Sequence, residues 1–268
     1  MLKDITLGQY FPGDTAVHRL DPRTKIVLTV VYIAALFVAK GPVSYFLVMA
    51  FLASAVIISK IRLKALFKGL KPLVIIIVIT GILNVLYTKG EHVLFTFWVF
   101  TVTLEGVRTA VFMILRIMML VAGTFLLTYT TSPIALTDGL ERLLRPLKKI
   151  RIPVHELAMM MSIALRFIPT LIDETDKIIS AQKARGADFE TGGLVRRAKA
   201  LLPILVPLFV GAFRRADELA TAMESRCYHG DHGRTRMKVL RYGRGDAAAF
   251  ILGALLLGGV ITLAVFGF

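Results

Sequence analysis

The chain has 268 residues, 56% of them hydrophobic, and a mean hydropathy of +0.71, too apolar for a soluble globular protein and characteristic of an integral membrane protein. Lys and Arg number 33 against 18 Asp and Glu, a formal charge of +15 that suits nucleic acid or the cytoplasmic face of a bilayer; the apolar runs decide for the bilayer and against nucleic acid. The single cysteine, Cys227, excludes an internal disulfide.

The first 25 residues carry Lys3, Asp4, Asp14, Arg19, Asp21, Arg23 and Lys25 and no apolar core, so they do not read as a cleaved signal peptide. Pro12-Gly13 and Asp21-Pro22 are turn chemistry leading into the first apolar run. Nearly charge-free runs then predict five membrane spans at 26–39, 43–59, 73–87, 107–131 and 247–268. The first and third are short for a hydrocarbon core that needs about 20 helical residues, so those helices must extend into polar sequence or let flanking Lys and Arg snorkel. Lys40-Gly41-Pro42 is the turn between the first two spans, and the Phe-, Trp- and Thr-rich stretch 90–103 predicts a short extended hairpin.

Residues 132–246 differ from the rest, being charged, punctuated by proline and helical in period. Three amphipathic helices are predicted. The first starts at Ser132-Pro133, an N-cap followed by proline at the first helical position, and runs to Arg145. The second opens at Pro153, contains Pro169 and stops at Gly186. The third covers 196–226, with Pro203 and Pro207 inside it, after a linker at 187–195. The organisation expected is therefore an all-α integral membrane protein in three parts: spans one to four in 1–131, long amphipathic helices in 132–246, and a final span in 247–268.

Charge orients these parts. With the N-terminus inside, 29 of the 33 basic residues are cytoplasmic and two lie in external loops, as the positive-inside rule requires. Making 200–213 a further span would reverse everything after it and export eight basic residues. A hairpin in which part of the second long helix also crosses would export Lys177, Lys183, Arg185, Arg196, Arg197 and Lys199.

Chemistry-bearing motifs are sparse. The sequence contains neither G-x-x-x-x-G-K-[ST] nor G-x-G-x-x-G, so no ATP hydrolysis and no bound cofactor is expected of this chain alone. None of the five runs holds Asp or Glu, unlike an ion-coupled carrier with a carboxylate relay. Arg116 lies mid-span in the fourth run and is read as turned toward polar groups of neighbouring helices. Cys227, His229 and His232 are close in sequence, but their spacing fits no metal-binding pattern and no metal site is assigned.

The most informative feature is an internal echo. Asp176-x-x-x-x-Ala181-x-x-x-Arg185 recurs at an offset of 41 as Asp217-x-x-x-x-Ala222-x-x-x-Arg226. Each arginine is flanked by small residues, Ala184 and Gly186 around the first, Ser225 and Cys227 around the second. In a helix, Ala and Arg at i, i+4 share a face, so each helix ends in a guanidinium among side chains small enough to allow close approach. A lone C-terminal arginine would be explained by the helix dipole; repetition of the whole pattern points instead to two equivalent tips for two equivalent receptors.

With these residues in view, the chain resembles the transmembrane T component of energy-coupling factor transporters, the EcfT and CbiQ-like group that includes cobalt-transport permeases. The resemblance runs over nearly the whole chain. It is carried by Tyr10-x-Pro12-Gly13-Asp14-x-x-x-His18-Arg19-Leu20-Asp21-Pro22-Arg23-x-Lys25 and by the tripeptides Ala184-Arg185-Gly186 and Ser225-Arg226-Cys227. The family's second tripeptide is often Ala-Arg-Gly, so Ser225 and Cys227 depart from it while staying small. The resemblance implies a non-catalytic subunit of a four-part importer of a vitamin or a transition-metal ion, in the cell membrane. Its partners would be two ABC-type ATPases, which bind the ATP and Mg, and a membrane-embedded substrate-binding S component. Residues 184–186 and 225–227 would dock the ATPases. Two other readings are a stand-alone secondary carrier, which predicts repeated spans that the sequence lacks, and a membrane enzyme. The latter's nearest carboxylate cluster, Asp173, Glu174 and Asp176, reads as a solvated helical face.

Overall fold

The structure is a computed structural model that describes residues 10–88, 92–97, 100–187, 189, 193–230 and 239–267. In chain order its elements are α1 (Ala16–Arg19), α2 (Pro22–Val38), α3 (Pro42–Ser59), α4 (Leu63–Leu70), α5 (Val74–Tyr87), β1 (Val93–Phe97), β2 (Phe100–Thr103), α6 (Leu104–Thr130), α7 (Pro133–Leu144), α8 (Val154–Ala184), α9 (Leu194–Glu224) and α10 (Arg244–Val265). Two compact units result, one of Gly8–Gly139 with Leu240–Phe268, the other centred on Leu140–Val239.

In the first unit, local chemistry sets the helix ends. Asp21 caps α2 by accepting from the Arg23 N–H at 2.9 Å, and Pro22 fills the first helical position, where a missing N–H costs nothing. Pro42 opens α3 in the same way. The hairpin expected at 90–103 is present as antiparallel β1 and β2, with Phe97 opposite Phe100. Its last residue, Thr103, caps α6 through a hydroxyl that accepts from Gly106 N–H at 3.1 Å.

The core lies where α2, α3, α6 and α10 meet, around Tyr32, Leu36, Tyr45, Val48, Met119 and Val260. A smaller cluster joins Val56, Ile61, Leu66 and Tyr129. Close helix approach depends on glycine: a Cβ on Gly123 would stand 2.4 Å from the Tyr32 ring. Tyr32 then spends its hydroxyl on the Met119 carbonyl at 2.9 Å, so the buried phenol has a partner.

One expectation is met and two change in detail. The short third run extends into polar sequence, the first of the two routes open to it. A 3₁₀ turn at Lys71–Leu73 joins α4 to α5, giving a helical run Leu63–Tyr87 of 25 residues, and the basic segment supplies the missing length. The last helix begins at Arg244, upstream of the apolar run, and carries a buried carboxylate, Asp246, in its first turn. Finally, five described helices are long and apolar enough to cross a membrane, but they include α8 in place of α2, which has 17 residues. Among the five, α8 is the least apolar and has charged residues spaced along it, from Glu156 and Arg166 to Lys183.

Arg116 of α6 donates to the Ala39 carbonyl at 3.1 Å, just past the end of α2, where helical carbonyls lack intrahelical partners. Its guanidinium also lies 5.6 Å from the Tyr45 ring centroid and 5.8 Å from that of Phe37. The intramembrane arginine thus serves a helix end and two rings.

Candidate functional site

The second unit is built on α8 and α9. Both run uninterrupted through their prolines, Pro169 in one and Pro203 and Pro207 in the other. They lie antiparallel: Gln182 near the end of α8 donates to the Pro203 carbonyl early in α9 at 3.3 Å. Further along, Glu174 pairs with Arg215, and Ile163 and Met223 line one cavity. The carboxylates read as a solvated face are therefore not all free, since Glu174 is half-buried in an ion pair between the helices.

An antiparallel pair carries its two C-termini at opposite ends. About 35 Å of α9 separates Pro203, beside the first tip, from Arg226 at the second, at 1.5 Å of rise per residue.

The tips share one backbone geometry. At the first, Gly186 has φ +86°, its N–H donates to the Lys183 carbonyl at 3.0 Å, and Ala187 N–H donates to Gln182 at 3.0 Å. At the second, Cys227 has φ +55°, its N–H donates to Glu224 at 2.9 Å, and Tyr228 N–H donates to Met223 at 3.1 Å. Each set of bonds is a Schellman cap, in which a left-handed residue turns two N–H groups back onto orphan helical carbonyls. Every donor and acceptor of the second lies 41 positions after its counterpart in the first. The echo extends upstream: Ser180 Oγ donates to the Asp176 carbonyl at 2.8 Å and Thr221 Oγ1 to the Asp217 carbonyl at 2.9 Å. A 41-residue sequence repeat has become one turn built twice.

Ala184, Arg185, Gly186, Ser225, Arg226 and Cys227 are all exposed, and among the described residues neither arginine's guanidinium has an ion-pair or hydrogen-bond partner. Gly186 would admit a Cβ without meeting any atom within 4 Å, so its requirement for glycine is one of backbone only. Cys227 holds the position that suits glycine and adopts αL with a side chain. His229 Nδ1–H donates to the Cys227 carbonyl at 2.8 Å, and among the described residues no group of three metal-ligating side chains occurs. His232 lies outside the described residues. Beside the second tip, Lys148, Arg151, His155 and His229 line a cavity of about 440 Å³.

The N-terminal motif has a separate task. His18 Nε2–H donates to the Phe11 carbonyl at 3.1 Å while Nδ1 sits 2.6 Å from the Thr15 hydroxyl, folding residues 11–18 on themselves. Lys25 Nζ donates to the carbonyls of His18 at 3.1 Å and Thr130 at 2.8 Å. Asp21 makes a two-pronged pair with Arg23, whose guanidinium lies 3.9 Å above the centre of the Tyr242 ring. Asp246 closes the arrangement by accepting Asp21 N–H and Gly243 N–H, each at 2.8 Å. Asp246, Thr130 and Tyr242 were not singled out by the sequence; Asp246 stands three residues beyond a glycine at a helix start, the one local cue.

Comparison with known proteins places this architecture. The family model CbiQ, described as cobalt transport protein, matches residues 13–238. A protein of Thermosediminibacter oceani named energy-coupling factor transporter transmembrane protein EcfT is 55% identical over 260 residues, covering 97% of this chain and 98% of its own. Proteins of the same name from Ruminiclostridium cellulolyticum and Lactococcus lactis subsp. cremoris are 54% and 43% identical, each over 92% of both chains. The chain therefore belongs to the CbiQ family, as a multi-pass transmembrane component of the energy-coupling factor transporter type.

Proposed function

We propose that this chain is the non-catalytic membrane scaffold of a four-part importer, with Arg185 and Arg226 docking two ABC-type ATPases and the helices behind them coupling ATPase movement to a substrate-binding S component. The cargo, a vitamin or a transition-metal ion, is held by the S component, and ATP and Mg by the ATPases. The N-terminus and residues 132–246 face the cytoplasm, a reading supported by the distribution of basic residues. On this reading α8 and α9 stay together on that side, because a crossing by α8 alone would reverse α10 and export the basic residues that follow it.

The observation that carries the proposal is the duplicated tip: two exposed, unpaired guanidinium groups on identical caps at opposite ends of one helix pair. Such a pair suits two similar receptors. Partner capture would give each arginine the acceptors it lacks in the chain alone, and a planar fork meets carboxylate or backbone acceptors in a way an ammonium cannot.

The test is retention of the ATPases and coupled transport in Arg185→Ala, Arg226→Ala and the double variant. Truncating one side of a buried charged contact typically costs about 2–5 kcal/mol of association. Each single variant should impair transport while inserting normally, the double variant should lose its ATPases, and lysine should rescue poorly. Assembly and transport at wild-type levels in the double variant would overturn the proposal.

A further inference from the structure

A feature that the tips do not use is a cavity of about 350 Å³ within the span-bearing unit. Its walls come from α1, α2, α3, α6 and α10, through residues such as Val17, Leu28, Phe51, Leu126 and Ala249. Five polar side chains also reach it, and each spends its hydrogen on backbone. Lys25 donates to the His18 and Thr130 carbonyls, Thr29 to Lys25, Tyr32 to Met119, Ser54 to Phe51 and Thr130 to Leu126. Apart from the third hydrogen of the Lys25 ammonium, a polar cargo would find no free donor there. It would have to surrender its hydration to an apolar wall, at the cost of leaving its own polar groups unpaired.

The cavity is neither sealed nor fit for water. A water needs two to four polar partners, and an apolar void of this size excludes it. Of its lining residues Ile58 is 51% exposed and Leu252 57% exposed, on two helices long and apolar enough to cross a membrane, so in a bilayer this face meets hydrocarbon. The apolar medium beside that opening is acyl chain. We propose that this cavity is a binding site for one acyl chain of a membrane phospholipid, inserted laterally between α3 and α10 and packed against α2 and α6.

The test uses the full chain purified in mild detergent, with two filling substitutions on different walls, Ala55→Phe on α3 and Ala249→Phe on α10, and Ile57→Phe as a control. Ile57 is exposed on α3 but does not line the cavity. Native mass spectrometry should find phospholipid retained by wild type and by the control, and about fivefold less by either filled variant. Adding back a dioleoyl phospholipid should raise the melting temperature of wild type by about 5 °C and leave the filled variants, already stabilised, nearly unmoved. Because the variants lie on opposite walls, misfolding of one leaves the other to decide. A chain-length series on wild type, from eight to eighteen carbons, decides without any variant: the shift should grow with chain length. Equal lipid retention by wild type and the filled variants, equal shifts on lipid addition, or a flat chain-length response would overturn the proposal. So would wild type that retains no phospholipid but holds a protein segment at that face.

Discussion

The caps at the two tips can be perturbed one residue at a time. Left-handed backbone costs a non-glycine residue roughly 1–2 kcal/mol, against about 0.5–1 kcal/mol for the extra freedom that glycine loses on folding. Cys227, at φ +55°, carries the first cost, and Gly186, at φ +86°, carries the second. The net preference for glycine is then about 0.5–1 kcal/mol at either site, or roughly a two- to fivefold change in the opening equilibrium of the cap. Steric contact adds nothing at Gly186, because a Cβ there meets no atom within 4 Å. The assay is amide hydrogen exchange on the purified chain, read at the two N–H groups that close the caps, Ala187 and Tyr228. Cys227→Gly should slow exchange at Tyr228 by about two- to fivefold and leave Ala187 unchanged. Gly186→Ala should speed Ala187 by the same factor and leave Tyr228 unchanged. If Cys227→Gly leaves Tyr228 unchanged or speeds it, then αL strain does not govern that tip and the equivalence drawn between the two caps is wrong.

Two further outcomes are expected. Asp246→Ala removes the acceptor for two backbone N–H groups, one of them on buried Asp21, and should destabilise the chain by about 2–3 kcal/mol in thermal unfolding in detergent, with Asp246→Asn intermediate. A melting temperature unchanged in Asp246→Ala would show that the link between the N-terminal motif and α10 is not maintained. Cys227, exposed on the second tip, should react with an impermeant maleimide only after the membrane of intact cells is opened. Labelling from outside would refute the cytoplasmic placement of that tip.

The features legible in the sequence are those with short-range causes. Apolar runs located the helices α2, α3, α6 and α10 within a few residues, Asp21-Pro22 and Gly41-Pro42 located two helix starts, and Gly186 located one helix end. The helical run Leu63–Tyr87 begins ten residues before its apolar stretch, an extension into polar sequence that the short run left open, with the amphipathic α4 packed on α6. Sequence missed where a distant partner decides. Glu174 was read as solvated because its partner Arg215 lies 41 residues away on another helix. Asp246 was passed over because Asp21, whose N–H it accepts, stands 225 positions earlier. Spacing alone made Arg185 and Arg226 equivalent, but whether their surroundings matched was a question of backbone angles, and φ > 0 at Cys227 has no signature in a sequence that lacks glycine there.

The antiparallel packing of α8 and α9 gives the repeat its geometric sense. Had the helices run parallel, the two identical turns would lie side by side and compete for one receptor. Antiparallel, they are carried about 35 Å apart and point in opposite directions, as two receptors related by a near two-fold axis would require. Among the contacts that hold the pair together, Glu174 with Arg215 lies between the tips and Gln182 with the Pro203 carbonyl lies at the first, and both fix one helix relative to the other. On the proposed function, that fixed length matters as much as the guanidinium groups: a change in the spacing of two docked partners is then taken up by the helix pair as a whole and not lost in loose ends. The Schellman caps serve the same end locally, since a frayed last turn would free the arginine from the helix axis, and Cys227 marks the tip at which that turn is held less firmly than at Gly186.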